Sequence, residues 1–343
     1  MKNKLVSIII INWNGKHLLE KCIPSLYKQD YKNFEIVLVD NASTDGSIEF
    51  IKKKYPQIKK IVINEENLGF AEANNRGYKL VTGDYVLFLN NDTEVTEDFL
   101  SILVKGLEKS KKTVCLQSRM LLMDKPNKLD SVGAFLTATG FLYHYGISKR
   151  WQKKYDRRIS FYSAKGACMI FKKEVLDETL VDNEVLDSEY FAYFEETDLC
   201  HRIWLAGYEI KFEPNSIIYH KMGGTSNDMK NSFIQFHSFK NRINTYIKNL
   251  SLSKLLVILP LHILMTQAFS LTALLQFKFD IFAATQKAIW WNIKNLERTL
   301  VKRKYIQSKI RKVSDQDLWP KIYKNPKLIY YIKLMTNLES YVD

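Results

Sequence analysis

The sequence predicts an α/β fold in which a mostly parallel sheet is flanked by helices and followed by a C-terminal helical extension. In the first third of the chain, short apolar runs alternate with amphipathic segments, as is typical of parallel strands joined by right-handed helical crossovers. The 343 residues, 46% of them hydrophobic, suffice for one large domain and an appendage. Because composition changes near residue 250, we divide the chain into a domain of residues 1–250 and an extension of residues 251–343.

The spacing of apolar residues predicts the individual elements. Continuous apolar runs indicate strands at residues 6–11, 34–39, 60–63, 85–89, 114–119 and 167–171, with two short strands at 209–212 and 216–220. Apolar residues at helical spacing predict helices that begin near residues 15 and 48, and helices over 71–80, 99–108 and 196–206.

Charge and cysteine content limit the class of protein. The net charge is +14, and the segment from Lys287 to Lys312 holds nine Lys or Arg residues and one acidic residue. A basic segment of this kind can meet anionic lipid, nucleic acid or an acidic partner, or can be a solvated helix face. Four cysteines without Cys-x-x-Cys spacing indicate reduced core residues of a cytosolic protein. The first apolar run is too short for a secretory signal.

Oxygen-bearing side chains come directly after the predicted strand at 85–89. Asn90, Asn91 and Asp92 follow that buried run. In open α/β sheets ligands bind beyond the carboxyl ends of the strands, and hard divalent cations prefer carboxylate and amide oxygens. Taken alone, the segment favours a simple turn after a strand, and its functional interpretation is a hard divalent cation bound to a substrate diphosphate, which in this class of site would be Mg²⁺ or Mn²⁺.

Two other loops suggest a nucleotide. Asp40 ends the second strand, where a carboxylate can accept the N–H of a pyrimidine ring or cap the next helix. Residues 67–71 lead into a helix, and helix N-termini favour phosphate. The sequence contains no G-x-G-x-x-G and no P-loop pattern, so neither a dehydrogenase nor a P-loop enzyme is indicated.

Three carboxylates, Glu195, Glu196 and Asp198, lie at the start of a predicted helix. The helix dipole favours them, but their mutual repulsion can raise the pKa of one of them and suit it to act as a general base. Asp198 and Arg202 are spaced i, i+4 and are expected to form a structural ion pair. His220 ends the last short strand, where a single histidine is more often structural than a ligand.

Six motifs occur in a characteristic order: SIIIINWNG (7–15), VDNAS (39–43), NLGFA (67–71), LNND (89–92), KGACM (165–169) and EExDLxxR (195–202). Over about residues 5–250 the chain resembles the family 2 inverting glycosyltransferases with the GT-A fold, particularly the rhamnosyltransferase-like branch. The resemblance implies that Glu196 is the catalytic base and that Asp92, with Asn90 and His220, binds the metal. It further implies a nucleotide-sugar site formed by Asn12, Asp40, Asn67, Gly69, Asn75 and Asn91, and supporting or acceptor-side roles for Gly166, Glu195, Asp198 and Arg202.

The resemblance also implies an activity. A single sugar would pass from a nucleoside diphosphate sugar, such as a dTDP- or UDP-sugar with a rhamnose-like donor possible, to a hydroxyl of a saccharide or lipid-linked saccharide in cell-surface polysaccharide biosynthesis. Processive relatives carry Gln-x-x-Arg-Trp, whereas Ile147 stands three residues before Arg150-Trp151 here, so we expect non-processive transfer. Two positions depart from the family pattern, since Asn90 and Glu196 each stand where the family usually has Asp. A catalytically inactive scaffold that binds a sugar nucleotide is therefore one alternative. A nucleotidyltransferase is another.

The extension predicts contact with a membrane. Residues 255–277 carry no formal charge and are long enough to span a bilayer, but His262, Thr266 and Ser270 form a polar stripe. We expect residues 255–312 to lie on an anionic membrane at the inner face of the cell membrane without crossing it, with Trp290 and Trp291 as interfacial anchors. The alternatives are a soluble helical cap, a homo-oligomer interface or a membrane-spanning structural protein. A nucleic-acid partner is not expected.

Overall fold

The computed structural model describes residues 4–221, 223, 230–327 and 330. The α/β fold class is confirmed, because a nine-stranded sheet is flanked by helices. The strands are β1 (Val6–Asn12), β2 (Phe34–Asp40), β3 (Lys60–Ile63), β4 (Tyr85–Leu89), β5 (Thr93–Val95), β6 (Thr113–Leu122), β7 (Lys125–Leu129), β8 (Gly133–Phe135), β9 (Tyr143–Tyr145), β10 (Cys168–Lys172) and β11 (Glu209–His220).

The helices of the first 230 residues are α1 (Lys16–Tyr27), α2 (Ser47–Lys54), α3 (Gly69–Tyr78), α4 (Phe99–Glu108), α5 (Lys173–Glu178) and α6 (Glu195–Leu205). Those that follow are α7 (Asn231–Asn249), α8 (Leu252–Leu275), α9 (Phe279–Lys294), α10 (Leu296–Tyr305) and α11 (Asp315–Ile322). The sequence did not predict α7, because its buried side chains are largely polar. The two short strands predicted at 209–212 and 216–220 are one strand, β11, with a register shift between Glu213 and Ile217.

The sheet is mixed rather than mostly parallel. Its order is β3-β2-β1-β4-β10-β6-β11-β5, with β7 on β6. The first four strands along this order pair in parallel, as predicted, because α1 to α3 provide the crossovers. The strand β10 is antiparallel to both β4 and β6. It enters the sheet at the carboxyl end of β4, with Cys168 opposite Leu89, after an irregular segment in place of a crossover helix. This direction puts the KGACM motif beside the carboxyl end of β4.

Each face of the sheet has its own apolar core, because alternate residues of β1, β2 and β4 point to opposite sides. Residues of the C-terminal extension, including Ile258, Ile306 and Leu318, belong to the same core as Ile9 and Phe88. The boundary near residue 250 stays a prediction of organisation, but the extension shares a core with the first 250 residues. All four cysteines are buried and free, and burial raises the pKa of Cys22, Cys168 and Cys200 to about 12.

Candidate functional site

Three predicted residues meet at the carboxyl edge of β1, β2 and β4. Asn12 Nδ2 donates to Asp40 Oδ2 at 2.9 Å, and Asn91 Nδ2 donates to Asn12 Oδ1 at 2.8 Å. The Ser43 main-chain N–H donates to Asp40 Oδ1 at 2.8 Å. Asp40 is 1% exposed and Asn12 is 0% exposed, so these polar groups are held by each other rather than by water. Gly15 leaves room for this pair, because a Cβ there would lie 2.4 Å from Asn91 Nδ2 and 2.7 Å from Asn12 Oδ1 and would displace both amides.

The second predicted loop joins this group through amide side chains. Asn67 Oδ1 accepts from the Gly69 main-chain N–H at 2.9 Å and from Asn41 Nδ2 at 3.2 Å. Gly69 has φ +77°, and a Cβ on it would lie 2.5 Å from the main-chain oxygen of Phe191. That oxygen accepts the N–H groups of Phe70 and Ala71 at 2.6 and 3.0 Å. The NLGFA motif is therefore needed to seat the start of α3 against the segment that leads into α6.

The KGACM motif connects the remaining predicted residues. Lys165 Nζ donates to Asp130 Oδ1 at 2.5 Å. A Cβ on Gly166 would lie 3.9 Å from Glu196 Cβ, so these two residues are neighbours. The main-chain oxygen of Ala167 accepts from the N–H of Asn90 at 3.0 Å. Three consecutive residues thus place the predicted base beside the predicted metal-binding strand end.

These contacts close into a ring around the carboxyl edge of the sheet, which we call the site ring. Asn12 and Asp40 connect to the loop at 67–69, which contacts Phe191 just before α6. At the start of α6, Glu196 lies beside residues 166–167, which contact Asn90. Asn91, next to Asn90, closes the ring by its hydrogen bond to Asn12. All six motifs of the sequence contribute to it. Residues as far apart in the chain as Asn12 and Glu196 therefore surround one site.

His220 lies between two carboxylates. Its Nδ1 is 2.6 Å from Asp130 Oδ2, and its Nε2 is 3.4 Å from Asp92 Oδ1. Burial disfavours the charged imidazole, but the hydrogen bonds and charges of Asp130 and Asp92 outweigh it and raise the pKa of His220 to about 9. Burial likewise opposes ionisation of Asp130, yet Lys165 and His220 hold its pKa below the usual range.

The residues present fit a divalent cation bound together with a diphosphate. Asp92 Oδ1 is buried, and its one partner among the described residues is the distant His220 Nε2 at 3.4 Å, so this oxygen can still bind a cation. A metal-binding histidine commonly donates its second ring N–H to a carboxylate, and Asp130 is placed to accept it from His220. No group of three His, Cys, Asp or Glu side chains that could hold a metal occurs among the described residues, so substrate oxygens or water would complete the shell. Asn90 forms main-chain contacts to Ala167 and Thr93 at this strand end.

The catalytic candidate lies at the start of α6, after an unusual stretch of backbone. Phe191, Tyr193 and Phe194 have φ values of +63°, +70° and +73°, which non-glycine residues rarely adopt. This conformation turns the chain directly into the first turn of α6. Glu195 is 5% exposed, whereas Glu196 is partly exposed beside Gly166. Of the two adjacent glutamates, Glu196 is therefore the one that a substrate can reach.

Asp198 and Arg202 form the predicted structural pair. Arg202 Nε donates to Asp198 Oδ2 at 3.0 Å, and both side chains are 1% exposed. Lys248 Nζ lies 3.0 Å from Asp198 Oδ1 and 2.5 Å from Asp187 Oδ2. Burial opposes ionisation of Asp198, but Lys248 and Arg202 hold its pKa below the usual range. Asp198 is thus committed to ion pairs and is not available as a base.

Asn75 is the predicted nucleotide contact that the structure uses differently. Its Nδ2 donates to the main-chain oxygen of Leu186 at 2.7 Å, and its Oδ1 accepts from the Leu186 N–H at 3.0 Å. Both ends of the amide fasten α3 to the loop that precedes α6. Asn75 therefore has a structural role that the sequence could not reveal, because Leu186 is 111 positions away, and its expected nucleotide contact stays a prediction.

Sequence reasoning missed Asp130 and the role of α7. Asp130 lies in an irregular segment without a recognisable pattern, and only its contacts with Lys165 and His220 identify it. On α7, Asn241 Nδ2 lies 3.0, 2.9 and 2.6 Å from the main-chain oxygens of Tyr190, Ala192 and Tyr193. His237 Nδ1 lies 3.0 Å from the same Tyr190 oxygen. The spacing of polar residues at 237, 241, 244, 245 and 248 is helical and was the available signal.

Known proteins resemble this chain in sequence and in fold. A family model described as Glycosyl transferase family 2 matches residues 7–180. Glycosyltransferase GlyA of Streptococcus pneumoniae is 36% identical over 103 residues, which are 30% of this chain and 15% of that protein. The amylovoran biosynthesis glycosyltransferase AmsB of Erwinia amylovora is 36% identical over 104 residues, 29% of this chain and 35% of that protein. The matches thus span well under half of either relative.

The fold has a counterpart among solved structures. The mannosyltransferase PcManGT of Pyrobaculum calidifontis, solved in complex with GDP-Man and Mn²⁺, aligns with a TM-score of 0.53 and 15% identity over 92% of this chain and 87% of that one. At that identity the likeness concerns the fold alone, and it is the GT-A fold expected from the motifs. The rhamnosyltransferase-like branch stays a prediction. Since the family model covers about half of the chain, this protein belongs to glycosyl transferase family 2.

Proposed function

We propose that this protein transfers a single sugar from a nucleoside diphosphate sugar to a hydroxyl of a saccharide or lipid-linked saccharide, with inversion at the anomeric carbon. The observation that carries the proposal is the site ring, in which residues 165–167 connect Glu196 to Asn90 and, through Asp130 and His220, to Asp92. Such a transfer needs a base and a diphosphate-binding strand end at one site, and the site ring contains both.

In this mechanism the donor lies across the carboxyl edge of β1, β2 and β4. Asp40, held by Asn12 and the Ser43 N–H, keeps lone pairs with which to accept an N–H of a uracil or thymine ring. Asn67, Gly69 and Asn91 line the same edge and would border the sugar nucleotide. This arrangement suits a UDP- or dTDP-sugar, and a rhamnose-like sugar remains our expectation from the motifs.

Glu196 removes the proton from the acceptor hydroxyl. The acceptor oxygen then forms a bond to the anomeric carbon as the bond to the diphosphate breaks on the opposite side, which inverts the configuration. The proton remains on Glu196 until water takes it, and the nucleoside diphosphate leaves. Glu195 is buried and Asp198 is held in ion pairs, so Glu196 is the carboxylate that remains to perform this step.

A divalent cation, Mg²⁺ or Mn²⁺, would be held by Asp92 and His220 with Asn90 at the same strand end. When bound, such a cation neutralises the charge that develops on the departing diphosphate. Asp130 would keep the His220 ring oriented with Nε2 toward Asp92. The Mn²⁺ and GDP-Man of the mannosyltransferase with the same fold support this assignment.

We expect one transfer per encounter, because Ile147 stands where processive relatives carry Gln. The guanidinium of Arg119 lies 3.5 Å from the centre of the Trp151 ring, and Trp151 also contacts Tyr155 and Phe212. This packing gives Trp151 a structural role. We place the reaction in the cytoplasm, in the biosynthesis of a cell-surface polysaccharide, which the amylovoran relative supports.

A panel of nucleotide sugars tests the donor assignment. We expect one UDP- or dTDP-sugar to raise the melting temperature of the protein by mass action, and to release nucleoside diphosphate when a saccharide acceptor is added. Binding without release, for every donor and acceptor tried, would favour the inactive scaffold.

Asp92→Ala tests the metal assignment. In the presence of Mn²⁺ we expect it to weaken nucleoside diphosphate binding at least about tenfold, because the carboxylate ligand is lost. In EDTA the variant and the wild type should bind alike. Titration calorimetry measures both affinities, with Asp124→Ala, an exposed carboxylate between β6 and β7, as the control. A wild type that binds equally well with and without metal would contradict the metal role.

A further inference from the structure

Helix α8 has its polar side against the protein and its apolar side outward. His262, Thr266 and Ser270, the predicted polar stripe, are each 0% exposed. His262 Nδ1 lies 3.0 Å from the main-chain oxygen of Thr139, and Ser270 Oγ accepts from Gln286 Nε2 on α9 at 2.8 Å. A helix on the surface of a soluble domain normally has the opposite arrangement. The polar stripe therefore faces the protein, and the outward side of α8 is left apolar.

The outward side of α8 continues into the turn that joins it to α9. Every exposed residue between 256 and 275 is apolar, and Leu256, Val257 and Leu264 are each 66% exposed. At the turn, Phe277 is 80% exposed and Phe279 is 59% exposed, with ring centres 6.2 Å apart. We call the exposed apolar residues of 252–279 the apolar surface. Its members are Leu252, Leu256, Val257, Pro260, Leu264, Leu271, Leu275, Phe277 and Phe279.

Exposed apolar side chains concentrate in this part of the molecule. Among the large hydrophobic residues that are exposed in the described chain, Ile63 and Leu80 are the two that precede residue 252, and the others lie between 252 and 305. Single exposed apolar residues are ordinary, but a contiguous patch marks an interaction site. The apolar surface is thus expected to be covered by something.

The geometry favours a helix that lies in the plane of a membrane over one that crosses it. By length and composition α8, which has 24 residues and an 18-residue stretch with a mean hydropathy of 1.8, could cross a bilayer. Its polar stripe, however, packs on Thr139 and α9, and α9 packs in turn on α7 through Asn292, which donates to the Lys240 oxygen at 3.0 Å. A helix with one side against a water-soluble domain cannot be surrounded by lipid.

Positive charges flank the apolar surface. Lys287 and Lys294 are exposed on α9 on either side of Trp290, which is 65% exposed. Near the start of α8, an open groove of about 450 Å³ is lined by Leu252, Leu300, Arg303, Lys304 and Arg311 with Ser251 and Gln307, and no carboxylate lines it. Arg311 is paired with Asp315, so Arg303 and Lys304 give the groove its charge.

One lysine of the basic segment at residues 287–312, Lys302, is buried and does not contribute charge to the surface. Lys302 is 7% exposed, and its Nζ lies 2.9 Å from Asp187 Oδ1 and 3.4 Å from Glu189 Oε2. It is an internal ion-pair partner rather than a surface lysine. The charge available to an outside partner comes instead from Lys287 and Lys294 on α9 and from Arg303 and Lys304 in the groove.

We propose that the apolar surface binds an anionic lipid membrane, with α8 in the plane of the interface and the aromatic turn at 277–279 inserted among the acyl chains. Lysines beside exposed leucine and tryptophan side chains match the charge and the apolar interior of such a membrane. A second copy of this chain fits less well, because a two-fold contact through this surface would bring like charges together. This proposal goes beyond glycosyl transfer and does not depend on it.

Flotation of the full chain with liposomes tests the proposal. We expect the wild type to float with vesicles of phosphatidylcholine and phosphatidylglycerol, and to float less with phosphatidylcholine alone. Leu264→Glu and Phe277→Glu should each lower the floated fraction about tenfold or more, because each replaces an inserted apolar group with a charge. Ile63→Glu is the matched control, since Ile63 is 53% exposed but lies on β3, and it should float as the wild type does.

The outcomes separate the possible occupants of the surface. Circular dichroism of each variant checks that it is folded, as expected for exposed positions. A wild type that stays at the bottom of the gradient, or a folded Leu264→Glu and Phe277→Glu that still float, overturns the proposal. A concentration-dependent dimer in light scattering that Leu264→Glu abolishes, without flotation, assigns the surface to a second copy. Equal flotation on neutral and anionic vesicles overturns the role given to the lysines.

Discussion

Helices α7 and α8 are adjacent in the chain and reverse the usual relation between polarity and burial. Fourteen of the 19 residues of α7 are buried, and most of these are polar or charged. Only six of the 24 residues of α8 are buried, and three of those six are His262, Thr266 and Ser270. Hydrophobicity alone would place α8 inside the protein and α7 at the surface. The difference shows that burial here follows from which neighbour satisfies each side chain.

The polar residues of α7 are buried because they supply partners that the segment before α6 lacks. Residues 189–194 form no regular ladder, so their carbonyl groups need donors, and Asn241, His237 and Lys240 lie within hydrogen-bond distance of them. A buried polar group costs little when it is hydrogen-bonded and much when it is not. On α8 the outward leucines have no such neighbour among the described residues.

Lys248→Met should have the largest effect on stability among changes to these helices. Lys248 is 1% exposed and lies between Asp187 and Asp198, so the variant leaves two buried carboxylates with one cation fewer. Breaking a buried ion pair in this way costs about 3–5 kcal/mol in the free energy of unfolding. Urea denaturation measures it. The control Lys304→Met removes an exposed lysine and should change stability by about 0.5 kcal/mol or less. Equal effects of the two would mean that α7 is not held by its charges.

Asn241→Leu should have a smaller effect on stability and a distinct effect on activity. Leucine keeps the volume but leaves the carbonyl groups of Ala192 and Tyr193 without this donor, at about 1–3 kcal/mol for each buried group left unsatisfied. We expect a lower kcat, because the segment positions Glu196, and a smaller loss of donor affinity, because Phe191 of the same segment seats the loop at residues 67–69. Thermal denaturation and steady-state kinetics measure the two effects.

Asn127→Leu, an exposed asparagine on β7, is the control for that change. If Asn241→Leu loses stability while kcat and donor affinity stay at the wild-type values, α7 supports the fold but does not position the base.

Leu264→Ser should have the smallest effect. Leu264 is 66% exposed, so its replacement removes little buried apolar area, and the free energy of unfolding should change by about 0.5 kcal/mol or less. The apolar-to-polar change Leu264→Ser on α8 would then lower the free energy of unfolding less than the polar-to-apolar change Asn241→Leu on α7. A loss of 2 kcal/mol or more, on the scale of a buried leucine, would show that the outward side of α8 is covered by protein in solution.

The sequence predicted the strands and helices in which the spacing of apolar residues is regular. Continuous apolar runs such as residues 6–11 and 85–89 indicate a buried strand, and the strands β1 and β4 lie there. The polar stripe on α8 was predicted as well, because three residues at a spacing of four leave one helix face. The helix α7 was missed, since a polar sequence predicts a buried helix only if its distant partners are known.

The candidate site shows the same limit. Asp40, Asn90, Asp92 and Glu196 were recognisable because they follow strands or begin a helix, where local sequence indicates the geometry. Asp130 contacts His220 across 90 positions, and Asn75 contacts Leu186 across 111, so neither role could be read from neighbouring residues. What sequence alone cannot give is the pairing of irregular segments, and the site ring is built largely from such segments.

Glu196→Gln tests the central claim most directly. The variant keeps the shape of the side chain but cannot take a proton, so transfer should fall about 10²–10⁴-fold while the affinity for the donor changes little. Release of nucleoside diphosphate in the presence of acceptor, together with donor affinity, is measured for this variant and for the exposed control Glu97→Gln. Loss of transfer at unchanged donor affinity in Glu196→Gln alone is the expected result. Wild-type turnover of Glu196→Gln would contradict the assignment of the base.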